Sequence, residues 1–236
     1  MVKISVMTPT YNEAENVSKL VDLLHKALKG KCFEIIIIDD NSPDGTAEVA
    51  RKLSGRYENI KLLCRPVKMG IGSAYKDGFR LCSGDVIAYM DADLSHDPRS
   101  LPKLIEALEN ADIAVGSRFM RYGGVIGWGW YRYLINLGAN LLARLILKLD
   151  VKDTTSGYKA YKRKAFEKLV SISNFGGFTD FDEEMLYLAK KHGLKVKEIP
   201  ITFANRERGN SKLRLRDILA FIKALLDIRL RFGACE

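Results

Sequence analysis

Residues 86–96 read Val86-Ile87-Ala88-Tyr89-Met90-Asp91-Ala92-Asp93-Leu94-Ser95-His96, a continuous apolar run that ends in two carboxylates separated by one alanine. Such a run, without alternation, marks a strand buried on both faces. In extended backbone, residues two apart point the same way, so Asp91 and Asp93 can meet one ion. Oxygen ligands alone suit Mg²⁺ or Mn²⁺, and few protein ligands suit an ion shared with substrate phosphates. The same design occurs twice upstream. Ile4–Thr8 reads as a strand followed by Pro9-Thr10-Tyr11-Asn12-Glu13, and the Ile-rich strand Phe33–Asp39 runs into Asp39-Asp40-Asn41-Ser42-Pro43-Asp44-Gly45-Thr46. Open parallel sheets bind ligands outside the carboxyl ends of their strands, although Asn, Asp and Ser there are also ordinary helix caps. Three acidic groups on one sheet edge would repel one another unless a cation lay among them.

Working outward, the pattern predicts helices over Glu13–Leu28, near Thr46–Leu53, around Gly72–Leu81 and over Leu101–Leu108. Further strands are expected at Ile60–Cys64 and Ile113–Gly116. This alternation implies right-handed βαβ units and an α/β fold with a mostly parallel central sheet flanked by helices. Past residue 118 the alternation lapses. A loop follows from Gly123 to Gly129 with Trp128 and Trp130, then a long apolar helix Tyr131–Leu149, a strand-like Gly157–Tyr161, a helix Asp182–His192 and a strand Lys195–Ile201. The tail Leu215–Phe232 is amphipathic and basic. No repeat or low-complexity linker interrupts the chain, so it reads as a single domain over 1–236. Its parts are a nucleotide- and metal-binding half (1–117), an acceptor half (118–212) and a C-terminal helix (213–236).

Composition narrows the function. The 236 residues carry a net charge of +9, with 47% hydrophobic and 28% charged residues, which excludes disorder, collagen and coiled coil. The charge is uneven: 15 basic and 17 acidic side chains up to residue 117, then 23 and 12 after it. A basic half suits a polyanion, whether nucleic acid, an anionic membrane surface or a phosphorylated substrate. Cys32, Cys64, Cys82 and Cys235 form no short pair, and the three histidines are scattered, which argues against zinc and for a reducing compartment. The longest stretches without a charge, 133–143 and 169–179, are 11 residues, short of the roughly 20 of a membrane span. A strand begins at Val2, so no signal peptide is expected. Neither G-x-x-x-x-G-K-[ST] nor a G-x-G-x-x-G after the first strand is present.

Pro9–Glu13, Asp39–Thr46, Lys68-Met69-Gly70-Ile71-Gly72 and Met90–His96, in that order, resemble the inverting family-2 glycosyltransferases. Gly116-Ser117-Arg118, Gly123-Gly124-Val125, Arg132, Gly138-Ala139-Asn140 and Arg206–Lys212 extend the resemblance to the branch that uses polyprenyl phosphates. The resemblance implies a GT-A type nucleotide-sugar fold. It assigns Pro9, Tyr11, Glu13, Ile38 and Asp40 to the nucleoside of GDP-mannose, and Asp91, Ala92 and Asp93 to the diphosphate and metal. Ser95 stands where some relatives have a Gln metal ligand. Arg118 and Arg132 match acceptor-phosphate contacts, while Arg206 and Lys212 match a segment that closes over the donor phosphates. Asn136 and Leu137 replace residues that are often polar or basic. The implied partners are GDP-mannose, dolichyl or another polyprenyl phosphate, a membrane surface met from the cytoplasmic face, and a small membrane-anchoring subunit. UDP-glucose is the alternative donor. A nucleic-acid-binding protein, the alternative suggested by charge, leaves the acidic groups unexplained.

Overall fold

The isoleucine run decides how the sheet is built. Ile35 and Ile37 point to one face, Ile36 and Ile38 to the other, and all four are fully buried. The computed structural model describes residues 2–173, 181–205 and 215–233. It places this strand, β2 (Cys32–Asp39), between β1 (Lys3–Thr10) and β3 (Ile60–Cys64), parallel to both. β4 (Val86–Tyr89) pairs in parallel with the other side of β1. The sheet continues through β7 (Lys159–Lys162), β5 (Ile113–Ser117) and β8 (Val196–Pro200), in the order β3-β2-β1-β4-β7-β5-β8. β7 runs antiparallel to both of its neighbours.

Helix periodicity explains the two covering layers. In α1 (Ala14–Ala27), Val17, Leu20, Val21 and Leu24 are buried at spacings of a single apolar stripe. With Ala50 of α2 (Thr46–Arg56) and Leu101 and Leu104 of α4 (Leu101–Ala107), they cover the Ile35/Ile37 face. The opposite face packs α3 (Ile71–Phe79), α6 (Arg163–Ile172) and α7 (Phe181–Lys191), with single stripes of α5 (Trp130–Leu147) and α8 (Leu215–Gly233). α3 approaches so closely that a Cβ on Gly78 would collide with Ile38.

The chain leaves β1 for β2 on one side and returns through β4 on the other. That reversal opens a crevice beyond the carboxyl ends of β1 and β4, where Pro9–Glu13 and Asp91–Ser95 lie. The second half departs from the sequence reading in detail. The glycine loop contains a short strand, β6 (Gly124–Ile126), and the strand expected over Lys195–Ile201 continues beyond a break as β9 (Thr202–Ala204). Ile201, buried against Gly116, ends the first pairing, after which β9 joins β6 in a parallel ribbon. The ribbon is tied to the crevice by a bridge between Phe203 and His96 and by Ala204 N–H donating to the Ser95 carbonyl at 3.0 Å. No described helix is long and apolar enough to cross a membrane.

Candidate active site

The three acidic groups do converge on one edge, but the protein itself satisfies the one that follows β2. Asp39 accepts from Thr10 Oγ1 (3.0 Å), Ser42 N–H (3.0 Å) and Ser42 Oγ (2.6 Å). Asp44 accepts from the N–H groups of Ala14 (3.1 Å) and Thr46 (3.0 Å), while Thr46 Oγ1 accepts from Glu13 N–H (2.9 Å). These side chains lace the loop after β1 to the loop after β2. Asp40 receives a two-pronged grip from Arg65, Nε at 2.6 Å and Nη2 at 3.0 Å, with both residues buried. Burial opposes the charge on Arg65, but Asp40 and Asp77 outweigh it and raise its pKa. The cation expected among the carboxylates is, at this position, an arginine of the chain.

Tyr11, Glu13, Asp40, Lys68, Ala92 and Asp93 border a cavity of about 400 Å³. The Tyr11 ring is exposed, with Lys68 Nζ 4.4 Å from its centre, a face suited to stacking. Ile38 does not reach this cavity with its side chain, which is buried in the core; its carbonyl accepts from Thr10 Oγ1. A larger cleft of about 1040 Å³ runs along α1 past Lys19 and across to Asn205. Tyr11, Glu13 and Asp93 border both spaces, so the two meet at the end of β4.

The Asp91–Asp93 turn is held from several directions. Leu94 adopts a left-handed backbone (φ 61°), costly for a residue with a branched side chain, and Ser95 N–H donates to Asp93 Oδ1 at 3.0 Å. Asp91 N–H donates to His96 Nδ1 at 3.2 Å, which places the proton of the neutral ring on Nε2. Burial pushes the His96 pKa down to about 3, overriding the nearby Asp93 carboxylate, so the ring is neutral. It stacks on Tyr158, ring centres 5.0 Å apart. The Ser95 hydroxyl is buried with no hydrogen-bond partner among the described residues. Asp91 and Asp93 offer carboxylate oxygens and Ser95 a hydroxyl, ligand types that suit a hard divalent cation completed by water and phosphate. No group of three or more His, Cys, Asp or Glu side chains suited to a metal occurs among the described residues.

The two arginines expected at the acceptor phosphate stand differently. Arg118 is buried and bound to Asp153, itself fully buried, through Nε (2.8 Å) and Nη2 (2.6 Å), and Nη2 also donates to Thr155 Oγ1 (2.7 Å). Arg132, in the first turn of α5, is half-buried; its Nη1 donates to Asn205 Oδ1 (2.8 Å) at the cleft, and its guanidinium lies 4.4 Å from the Trp128 ring centre. Trp128 is 5.5 Å from the Arg118 guanidinium as well. Arg206 and Lys212 lie outside the described residues. Sequence reasoning missed Arg65, Asn205 and the pairing of Asp153. Beside this site, the outer face of α5 exposes Trp130 (77%), Leu134, Leu137, Leu141 and Leu145 (65%), and α8 exposes Leu219, Leu226 and Leu230 (74%).

A family model described as glycosyl transferase family 2 matches residues 5–170. The chain belongs to that family. It is 42% identical over 225 residues to a dolichol-phosphate mannosyltransferase of Pyrococcus furiosus, covering 94% of this chain and 62% of the relative, so the chain spans less than two thirds of that protein's length. It is 38% identical to a polyprenol monophosphomannose synthase of Mycolicibacterium smegmatis, covering 88% of this chain and 80% of the relative. It is also 34% identical to an undecaprenyl-phosphate mannosyltransferase of Micrococcus luteus, covering 90% and 88%. Among solved structures, glucosyl-3-phosphoglycerate synthase from Mycobacterium tuberculosis, in complex with Mn²⁺, UDP and glucosyl-3-phosphoglycerate, superposes with a TM-score of 0.70. That match covers 98% of this chain and 79% of the other at 22% identity, a likeness of fold. The expected α/β, GT-A type architecture and the resemblance to the polyprenyl-phosphate branch are thereby met.

Proposed function

We propose that this family-2 member transfers mannose from GDP-mannose to a polyprenyl phosphate such as dolichyl phosphate, inverting the anomeric carbon. The observation that carries the reading is the meeting of two spaces at Asp93: a compact cavity bearing Tyr11 and Asp40, and a long cleft that reaches the Asn205–Arg132 pair. A donor and an acceptor placed in them would face each other across the end of β4. The names of the three mannosyltransferase relatives support the same lipid class.

In this reading Tyr11 stacks on the guanine, and Asp40, fixed by Arg65, accepts from its edge. Pro9 and Glu13 border the same nucleoside, while Ile38 contributes through backbone and core packing. Asp91 and Asp93, with Ser95, would hold Mg²⁺ or Mn²⁺. When bound, that ion neutralises the charge growing on the departing diphosphate. By the family resemblance, Arg206 and Lys212 would add positive charge to the donor phosphates. The acceptor phosphate is already ionised at neutral pH, so the protein need only place it. Arg132, backed by Trp128 and Asn205, is the group suited to that. Arg118 acts behind it by fixing Asp153 and Thr155. The exposed apolar stripes of α5 and α8, on a half rich in Lys and Arg, support peripheral binding to a membrane surface, which the proposal takes to be the cytoplasmic face.

The test is a panel of labelled GDP-mannose and UDP-glucose with dolichyl phosphate and Mn²⁺. Transfer from GDP-mannose is expected, with Asp93→Ala lowering the rate by about three orders of magnitude or more, in the range of a lost charge-stabilising group. Transfer from neither donor overturns the proposal, and near-normal turnover by Asp93→Ala removes the metal assignment.

A further inference from the structure

Helix α5 carries a polar stripe that neither of its apolar faces explains. Arg132, Asn136 and Asn140 stand four residues apart and share one side of the helix. Asn136 Nδ2 donates to the Arg132 carbonyl at 3.0 Å, and Asn140 Nδ2 donates to the Asn136 carbonyl at 2.8 Å. Asn140 is 2% exposed and is the junction of the set. Its Oδ1 accepts from Thr154 N–H (2.6 Å), Thr154 Oγ1 (3.0 Å) and Thr155 N–H (3.4 Å). Its Nδ2 also reaches Thr155 Oγ1 at 3.2 Å, the same hydroxyl that accepts from Arg118 Nη2. One carboxamide therefore joins α5 to the loop that holds the Arg118–Asp153 pair.

Elsewhere α5 is held mainly at its C-terminal half, where it packs on α8, Ile146 meets the core and Arg229 donates to the Ile146 carbonyl; near its start Tyr133 meets the Phe119 ring edge-on. Its buried side chains are Asn140, Ala143 and Leu147, all in the second half, while the first two turns carry exposed Trp130, Tyr131, Tyr133 and Leu134. Apolar contacts resist separation but tolerate rolling, whereas hydrogen bonds are directional. Each residue of an α-helix advances about 100° around the axis, so even a fraction of one residue's roll would swing Arg132 away from Asn205. We propose that Asn140 is a positioning residue, which locks the roll of α5 and thereby aims Arg132 at the acceptor cleft. The functional half of this inference rests on Arg132 meeting the acceptor phosphate. The structural half stands without it.

The experiment is a double-mutant cycle between Asn140→Leu and Arg132→Ala, read by acceptor KM, kcat and donor Kd. Asn140→Leu should raise acceptor KM at least tenfold and leave donor Kd within twofold. In the Arg132→Ala background the same substitution should change acceptor KM less than twofold. A tenfold effect that persists in that background, or an unchanged KM in the wild-type background, overturns the proposal. Should Asn140→Leu not fold, Thr155→Val removes only one hydroxyl of the junction; a threefold rise in acceptor KM is expected, and an unchanged value is fatal. Hydrogen exchange gives a readout independent of turnover. The amides of residues 133–136 should exchange at least tenfold faster in either variant, and unchanged exchange overturns the proposal even if the wild-type protein transfers nothing. An inactive wild type with loosened α5 amides would instead indict the proposed reaction alone.

Discussion

Arg118 and Arg132 flank the same tryptophan, yet they belong to opposite kinds of region. Arg118 lies in a buried network whose counter-charge, Asp153, has no exposure to solvent, and both prongs of its fork are committed to that carboxylate. Arg132 sits on a helix turn with exposed aromatic neighbours and meets an asparagine at the mouth of a cleft. Two arginines expected at one phosphate thus stand in different surroundings. A guanidinium whose fork is committed to a buried carboxylate has little charge to lend a substrate, whereas Arg132 stands at the cleft itself, with Nη1 on Asn205. The surroundings fit a structural part for the first region and, under the proposed function, recognition for the second.

The sharpest way to break that division is to remove Arg118. Arg118→Ala would strand the Asp153 carboxylate in the core, at a cost of about 3–5 kcal/mol. For a domain of this size the melting temperature should fall on the order of 10 °C. A melt unchanged from wild type would mean that the buried pair is not structural. Glu34 offers a second buried anion against which to calibrate it. Burial disfavours its charge, but hydrogen bonds from Ser5, Lys61 and Ser83 prevail and lower its pKa from 4.5 to about 2. Because the folded value is depressed, its stabilisation is present above pH 4.5 and is lost as pH falls through 2, on the order of 3 kcal/mol. Denaturant titrations across that window should show a shallower loss in Glu34→Gln, and equal slopes in the two proteins would refute the assignment. The smallest effect belongs to the open region. Arg132→Ala should change stability by less than about 0.5 kcal/mol. It should raise acceptor KM about tenfold or more, the worth of one charged hydrogen bond, with donor Kd unchanged. Equal losses in donor and acceptor binding, by calorimetry and kinetics, would erase the distinction.

What could be read beforehand follows from how far each signal reaches along the chain. The alternation of Ile-rich strands and amphipathic helices is local, so the sheet and the crevice at its carboxyl edge were legible, as was the placement of Asp91 and Asp93. The pairings Asp40–Arg65 and Arg118–Asp153 span 25 and 35 residues and carry no period, so nothing local reveals them. That is why carboxylates expected to need an external cation already had an internal one at Asp40. β6 and β9, three residues each, are too short to show alternation. Ile38 illustrates a different gap: its register beside Asp39 is clear, but which face it points to follows from strand pairing.

The antiparallel strand β7 imposes an order on synthesis. Its partners β4 and β5 end at residues 89 and 117, long before β7 is complete at residue 162. As the chain emerges from a ribosome, β4 therefore presents an open edge, rich in buried-type side chains, while the next 73 residues are made. At roughly 5–20 residues per second that interval is about 4–15 s. Throughout it, the half that carries the paired aspartates has its crevice strands but lacks the neighbour that closes their edge, so it is most open to wrong pairing or chaperone capture just before the acceptor half arrives.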